Sequence, residues 1–216
     1  MTLQMHARFV TLEGGEGAGK STVLSALREF LLARGFEVVS TREPGGTPLA
    51  EQIRGLLLDT HHEPPAAETE LLLMFAARAQ HVREVILPAL QRGAWVISDR
   101  FTDSSYAYQG AGRGLPAGFI AELERSVFGI APAMTLLLDI GVASGRERTR
   151  GRNLAPGGNG PDRIEQEHDH FFERVREGFL ARAQAEPQRF RVVDATQSVD
   201  DVAAQAVAHL RALADA

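Results

Sequence analysis

Phe9-Val10-Thr11-Leu12 leads, one residue later, into Gly14-Gly15-Glu16-Gly17-Ala18-Gly19-Lys20-Ser21. The second stretch satisfies G-x-x-x-x-G-K-[ST], the spacing of a loop whose backbone N–H groups form a nest around phosphate oxygens. The helix that follows such a loop adds its positive end. Lys20 is the single lysine of the 216-residue chain; every other basic residue apart from histidine is arginine. A compact ammonium reaches β- and γ-phosphates from below, where a planar guanidinium does not fit. Ser21 offers its hydroxyl to Mg²⁺. The passage predicts a nucleoside-triphosphate site, with Gly14 to Ser21 and the adjoining Thr22 around the phosphates.

The flanks agree with that reading. Residues 9–12 form a short β-rich run, and over 21–34 the apolar Val23, Leu24, Leu27 and Leu31 fall at helical spacing. Further runs at 37–41, 94–98, 134–139 and 190–194 read as buried parallel strands, with helical periods between them. Arg34-Gly35 and Arg92-Gly93 each look like a helix end, glycine supplying the left-handed cap. Such alternation predicts an α/β protein of the P-loop NTPase fold: a five-stranded parallel sheet flanked by helices on both faces, with right-handed crossovers. One domain spanning 1–216 is expected at this length. Ligands then collect beyond the carboxyl ends of the strands, where Arg42, Asp99 and Asp194 fall.

Composition narrows the function classes. The absence of cysteine excludes disulfides and thiolate chemistry, and no apolar stretch approaches a membrane span. Residues 1–8 lack the apolar core of a signal peptide, so a cytoplasmic location is expected. A formal net charge of −5 argues against binding nucleic acid polymers by bulk electrostatics. Positive charge for nucleotides must therefore be concentrated locally.

A second anion site is suggested by Asp99-Arg100, which follows the strand Trp95-Val96-Ile97-Ser98. The aspartate is placed to hold Mg²⁺, and the arginine can grip a phosphate bidentately. Thr41-Arg42-Glu43-Pro44-Gly45-Gly46-Thr47 puts Arg42 and Glu43 in the same crevice, with Arg54 on the next helix. The helix expected over 68–90 carries Met74, Phe75 and Arg78, an apolar and cationic face that could meet a base. Residues 153–161 are too rich in Gly and Pro for helix and read as a mobile loop. Arg146, Arg148, Arg150, Arg152 and Arg163 bracket it, so 146–163 reads as a lid that closes over phosphates. His168 and His170, on a charged helix expected over 165–176, read as solvated rather than metal-binding.

Taken together, these segments resemble the bacterial thymidylate kinases (dTMP kinases). The resemblance rests on 12–22, 41–47 with Ile53-Arg54, 75–78, 99–112 (DRFTDSSYAYQGAG), 162–166 (DRIEQ) and 193–197 (VDATQ), in family order. It implies phosphorylation of dTMP by ATP with Mg²⁺ held at Ser21, Asp99 and Glu43. Glu16 would bond the acceptor's 3′-hydroxyl, Arg100 and Arg54 its 5′-phosphate, and Arg78 thymine O4. Ser105 and Gln109 would complete recognition of the base edge, Ser104 would also bind dTMP, and Tyr108 would pack against C2′. An arginine among Arg148, Arg150 and Arg152, with Arg163, would act on the transferring group, and Ala195, Thr196 and Gln197 would border adenine. Relatives usually have phenylalanine four residues before the base-binding arginine. Here that slot is Met74, so either Phe75 rotates in to stack, the favoured option, or Met74 covers the thymine. A homodimer through 122–128 or 68–90 is also implied. Another P-loop kinase for a small metabolite and a nucleotide switch remain as alternatives, although no Asn-Lys-x-Asp segment supports the switch.

Overall fold

β1 (Gln4–Glu13) runs through the middle of a five-stranded sheet ordered β2 (Val38–Arg42), β3 (Trp95–Asp99), β1, β4 (Ile130–Asp139), β5 (Phe190–Asp194), with every pairing parallel. The computed structural model describes residues 3–61, 63–154 and 160–215. Strand side chains alternate between two packed faces. Val10, Leu12, Ile97, Leu136 and Leu138 meet α1 (Lys20–Ala33) and α9 (Val199–Ala214) through Val23, Leu27, Leu31, Val202, Ala206 and Leu210. On the other face Phe9 and Val96 pack on Val82, Ile86 and Ala89, and Leu137 on Phe171 and Phe179 of α8 (Asp169–Ala185). Each buried Val, Leu, Ile or Phe among these stabilises the fold by about 1.5–3 kcal/mol. A one-residue slip in register would exchange these two faces, so packing fixes the pairing.

Local signals place the helices. Thr47 caps α2 (Pro48–Leu58), its hydroxyl accepting the Ala50 N–H at 3.2 Å, with Pro48 in the first turn. Gly35 and Gly93 do adopt left-handed φ of 80° and 84° behind their helices. The helix expected over 68–90 is a rod made of α3 (Ala67–His81), a wide π turn at Val82–Ile86, and α4 (Leu87–Gln91). A second wide turn, Tyr106–Gly112, follows α5 (Thr102–Ser105); its signature is the Arg113 N–H bonding the Tyr108 carbonyl, five residues back, at 2.9 Å. α6 (Ala117–Val127) and α7 (Val142–Leu154) complete the order.

Three expectations about boundaries change. β1 and β4 begin earlier than their apolar runs because Gln4, Met5 and His6 pair with Ile130, Ala131 and Pro132. The helix expected from 165 starts only at Asp169; before it the Asp162 carboxylate accepts the Ile164 and Glu165 N–H groups, which holds a turn. The loop expected over 153–161 is shortened, since α7 extends to Leu154. Residues 155–159 of that patch lie outside the described residues. Among the described residues, no helix is long and apolar enough to cross a membrane.

Candidate active site

The strand order reverses around β1, so its carboxyl end opens into the crevice where an α/β sheet binds ligands. There the chain turns through the glycine loop and enters α1 at Lys20. Gly19 precedes it with φ 88°, and no side chain caps the first N–H groups of α1. Those donors are the orphan groups that a helix offers to an anion. Lys20 Nζ donates to the carbonyls of Gly14 at 3.1 Å and Gly15 at 3.0 Å, which points it along the loop. Burial, then the neighbouring Arg100 charge, lowers its pKa, while Glu16, Asp99 and Glu13 oppose the shift. Gly17, at φ 72°, presses on α7: a Cβ there would enter the Gly145 carbonyl, and one on Gly145 would enter the Glu16 carbonyl.

Two adjoining cavities share a wall. The first is lined by residues 16–21, Asp99 and Arg148; the second by Met74, Arg78, Ser104, Ser105, Tyr108 and Gln109. Glu16, Glu43, Arg54, Arg100 and Asp162 line both. Arg100 is the one described non-glycine residue with positive φ, 71°, a conformation that costs an L-residue about 1–3 kcal/mol. Its guanidinium donates to Ser104 Oγ, Glu16 Oε1 and the Tyr108 hydroxyl, each at 3.1 Å. Burial opposes its charge, but Tyr108, Glu16, Asp99 and Glu13 more than offset this and raise its pKa. The strained backbone thus holds a permanent cation where the cavities meet.

Arg78 lies beneath the second cavity. It donates to Glu43 Oε2 at 2.5 Å, Ser105 Oγ at 3.1 Å and the Phe101 carbonyl at 3.1 Å. Arg54 is steadied by the Pro44 carbonyl at 3.0 Å. Gln109 gives Nε2 to Glu70 Oε1 at 2.8 Å.

Several residues fall elsewhere than expected. Phe75 is 2 % exposed and stacks on Phe128 with centroids 5.7 Å apart, so Met74 rather than Phe75 faces the cavity. Arg163 does not line either cavity. It donates to Glu70 at 2.6 Å and to the Leu57 carbonyl at 2.7 Å, which pins its segment to α2 and α3. Arg150 lies two positions beyond Arg148 on α7, hence on another side of that helix, and lines a separate groove with Arg146 and Phe172. Arg148 instead enters the triphosphate cavity and donates to the Ala195 carbonyl at 3.0 Å. The side chain of Arg152 lies outside the described residues. Glu43 lines both cavities, and its two oxygens meet Arg78 and His81 Nδ1, the latter at 2.9 Å, so it anchors Arg78. Thr22 sits one step past the cavity on α1, and Thr196 and Gln197 are exposed beyond β5.

Sequence reasoning missed Glu13, Glu70 and His81. Glu13 ends β1 fully buried and accepts the Phe101 N–H at 2.8 Å and the Ser104 hydroxyl at 2.6 Å, holding the turn that carries Arg100. Burial first, then Asp103, raises its pKa to about 7. An acidic residue closing an apolar strand just before the glycines was the available signal.

A triphosphate cradle that shares a wall carrying Arg54 and Arg100 with a second pocket suits transfer between two anions, and hydrolysis would need no such partner. In fold and site this is a P-loop kinase of small phosphorylated molecules. The comparisons with known proteins are specific. The family model described as thymidylate kinase matches residues 12–206. The chain is 56 % identical over 199 residues to the thymidylate kinase of Nitrosospira multiformis, covering 92 % of this chain and 94 % of the relative. It is 55 % identical over 205 residues to that of Chromohalobacter salexigens, covering 94 % of each. The solved thymidylate kinase of Ehrlichia chaffeensis superposes with a TM-score of 0.76 at 31 % identity, covering 95 % of this chain and 99 % of that one. The chain belongs to the thymidylate kinase family, whose members phosphorylate dTMP to dTDP with ATP.

Proposed function

We propose that this chain transfers the γ-phosphoryl group of MgATP to the 5′-phosphate of dTMP, giving ADP and dTDP on the way to dTTP, in the cytoplasm. The observation that carries this reading is the wall shared by the two cavities, with Arg100 at its centre. No general base is required, because a phosphate monoester has its second pKa near 6 and is mostly dianionic at neutral pH. The obstacle is repulsion between polyanions, so catalysis is positioning and charge neutralisation. Lys20 would sit on the β/γ-phosphates, Arg100 and Arg54 on the acceptor phosphate, and Arg148 on the transferring group as the lid (146–163) closes. The Asp99 Oδ1 is buried without a hydrogen-bond partner and shares its cavity with Ser21, a hard-oxygen pair that suits Mg²⁺. The ion would supply charge neutralisation between β- and γ-oxygens.

Arg78, Ser105 and Gln109 would read the thymine edge under Met74, with Tyr108 against C2′ and Glu16 at the 3′-hydroxyl. Ala195, Thr196 and Gln197 would border adenine. A homodimer would form through 122–128 or 68–90; the exposed Leu72 of α3 supports the second.

A coupled ADP-release assay with dTMP, dUMP, dCMP, AMP and GMP tests the reading. One methyl group is worth ~1–3 kcal/mol, so dUMP should show kcat/KM roughly 10–200-fold below dTMP. Discrimination against dCMP should be greater, because its amino group faces the donors of Arg78. Equal rates across the panel would refute the assignment. Separately, Gly145→Ala pushes the first turn of α7 off the loop at Glu16. Turnover should fall on the order of 10²-fold, since displacements of about 1 Å have that effect, while circular dichroism stays native. Wild-type turnover in this variant would show that the contact is dispensable.

A further inference from the structure

Glu70 is 1 % exposed and stands behind the base pocket instead of in it. It receives Gln109 Nε2 at 2.8 Å, Arg113 Nε at 3.4 Å and Nη2 at 3.2 Å, and Arg163 Nη2 at 2.6 Å. A carboxylate has about four acceptor sites, and these four donors fill them. Burial pushes the Glu70 pKa up, but the bonds from Gln109, Arg113 and Arg163 outweigh it and leave the carboxyl below its usual range. Glu70 is therefore an acceptor only.

An amide can present either its oxygen or its NH₂ to a ligand, and its surroundings choose. One N–H of that amide goes to Glu70, which fixes the nitrogen on the Glu70 side and leaves Oε1 as the amide's acceptor for the cavity that Gln109 lines. Arg78, beside it on the same cavity, carries donors only. The wall then reads donor, acceptor. Thymine and uracil match this with O4 and N3–H; cytosine presents the reverse, an amino group and a bare N3.

We propose that Glu70 is a positioning residue that sets base selectivity by locking the Gln109 amide with its oxygen toward the acceptor. This rests on the dTMP kinase reading above. Glu70→Gln replaces an obligate acceptor by a group that can donate, and so frees the Gln109 amide to turn. Arg113 and Arg163 keep one acceptor oxygen.

The test measures kcat and KM for dTMP, dUMP and dCMP in wild type, Glu70→Gln, Gln109→Ala and the double variant. In Glu70→Gln the dTMP:dCMP ratio of kcat/KM should fall at least about tenfold, the size of one misplaced buried donor. The dTMP:dUMP ratio should stay within about twofold, because uracil and thymine share that edge, and the KM for ATP should not move. In the Gln109→Ala background, Glu70→Gln should leave the dTMP:dCMP ratio where it is. A merely structural role would lower all acceptors together and so overturns the proposal. An unchanged dTMP:dCMP ratio in Glu70→Gln, where Gln109→Ala lowers it, overturns the proposal but leaves the kinase reading intact. A wild-type enzyme indifferent to dTMP and dCMP overturns both. Should Glu70→Gln fail to fold, ¹⁵N NMR of wild type decides, the Gln109 amide being assigned by its loss in Gln109→Ala. Slow exchange of that amide, with and without dTMP, supports the lock; solvent-like exchange overturns it.

Discussion

Lys20→Ala should lower kcat by about 10³-fold at saturating MgATP, with the fold retained. Removal of one preorganised neutral donor at a developing charge already costs about 10²–10³ in rate. Lys20 carries a full charge, is half-buried, and is held by the Gly14 and Gly15 carbonyls. Its neighbours cannot replace it. Arg100 is tied to Glu16, Ser104 and Tyr108, and Arg148 to the Ala195 carbonyl. Lys20→Arg should be nearly as inactive, since a planar fork cannot lie between those two loop carbonyls. Steady-state kinetics with a melting curve for each variant checks this. Turnover within tenfold of wild type would place the γ-phosphate somewhere other than above this loop.

Arg100→Ala should cut kcat/KM for dTMP by about 10²–10⁴-fold, while ATP binding changes little. Two charge-assisted hydrogen bonds to the acceptor phosphate, at roughly 1.5–3 kcal/mol each, give that range. The comparison that separates chemistry from stability is Arg100→Gly. At φ 71° glycine carries no steric penalty, so this variant should melt no lower than Arg100→Ala and yet be as poor a catalyst. If Arg100→Gly retained wild-type dTMP kinetics, the guanidinium would have no part in acceptor binding.

Much of this architecture could be read from the chain because of where apolar residues fall. Parallel strands buried on both faces appear as short apolar runs, and β1, β3 and β4 did; β2 and β5, at the edges of the sheet, are only partly buried. The phosphate loop was equally legible, since its function depends on backbone conformation that only a few residue types permit. Asp99 and Arg100 could be found because a strand next to that loop must end in the crevice. What stayed hidden depends on partners distant in sequence. The partner that holds Arg163, Glu70, lies 93 residues away. Met74 and Phe75 differ by about 100° around one helix, and only Phe128, arriving from beyond α6, shows which is core. The ends of β1 and β4 carry polar or mixed residues, and their pairing comes from backbone bonds that side-chain pattern does not report.

The wide turn at Tyr106–Gly112 has a consequence for how this protein can change. A segment closed by a bond reaching five residues back holds one amino acid more than an ordinary helical turn. Loss of any single residue there would let the coil tighten to regular pitch and swing Tyr108 and Gln109 around its axis, away from Arg100 and Glu70. Substitutions in this stretch can be repaired one at a time, but its length cannot. In descendants of this gene the tally of positions between Ser105 and Arg113 should therefore be guarded more strictly than the letters that fill them.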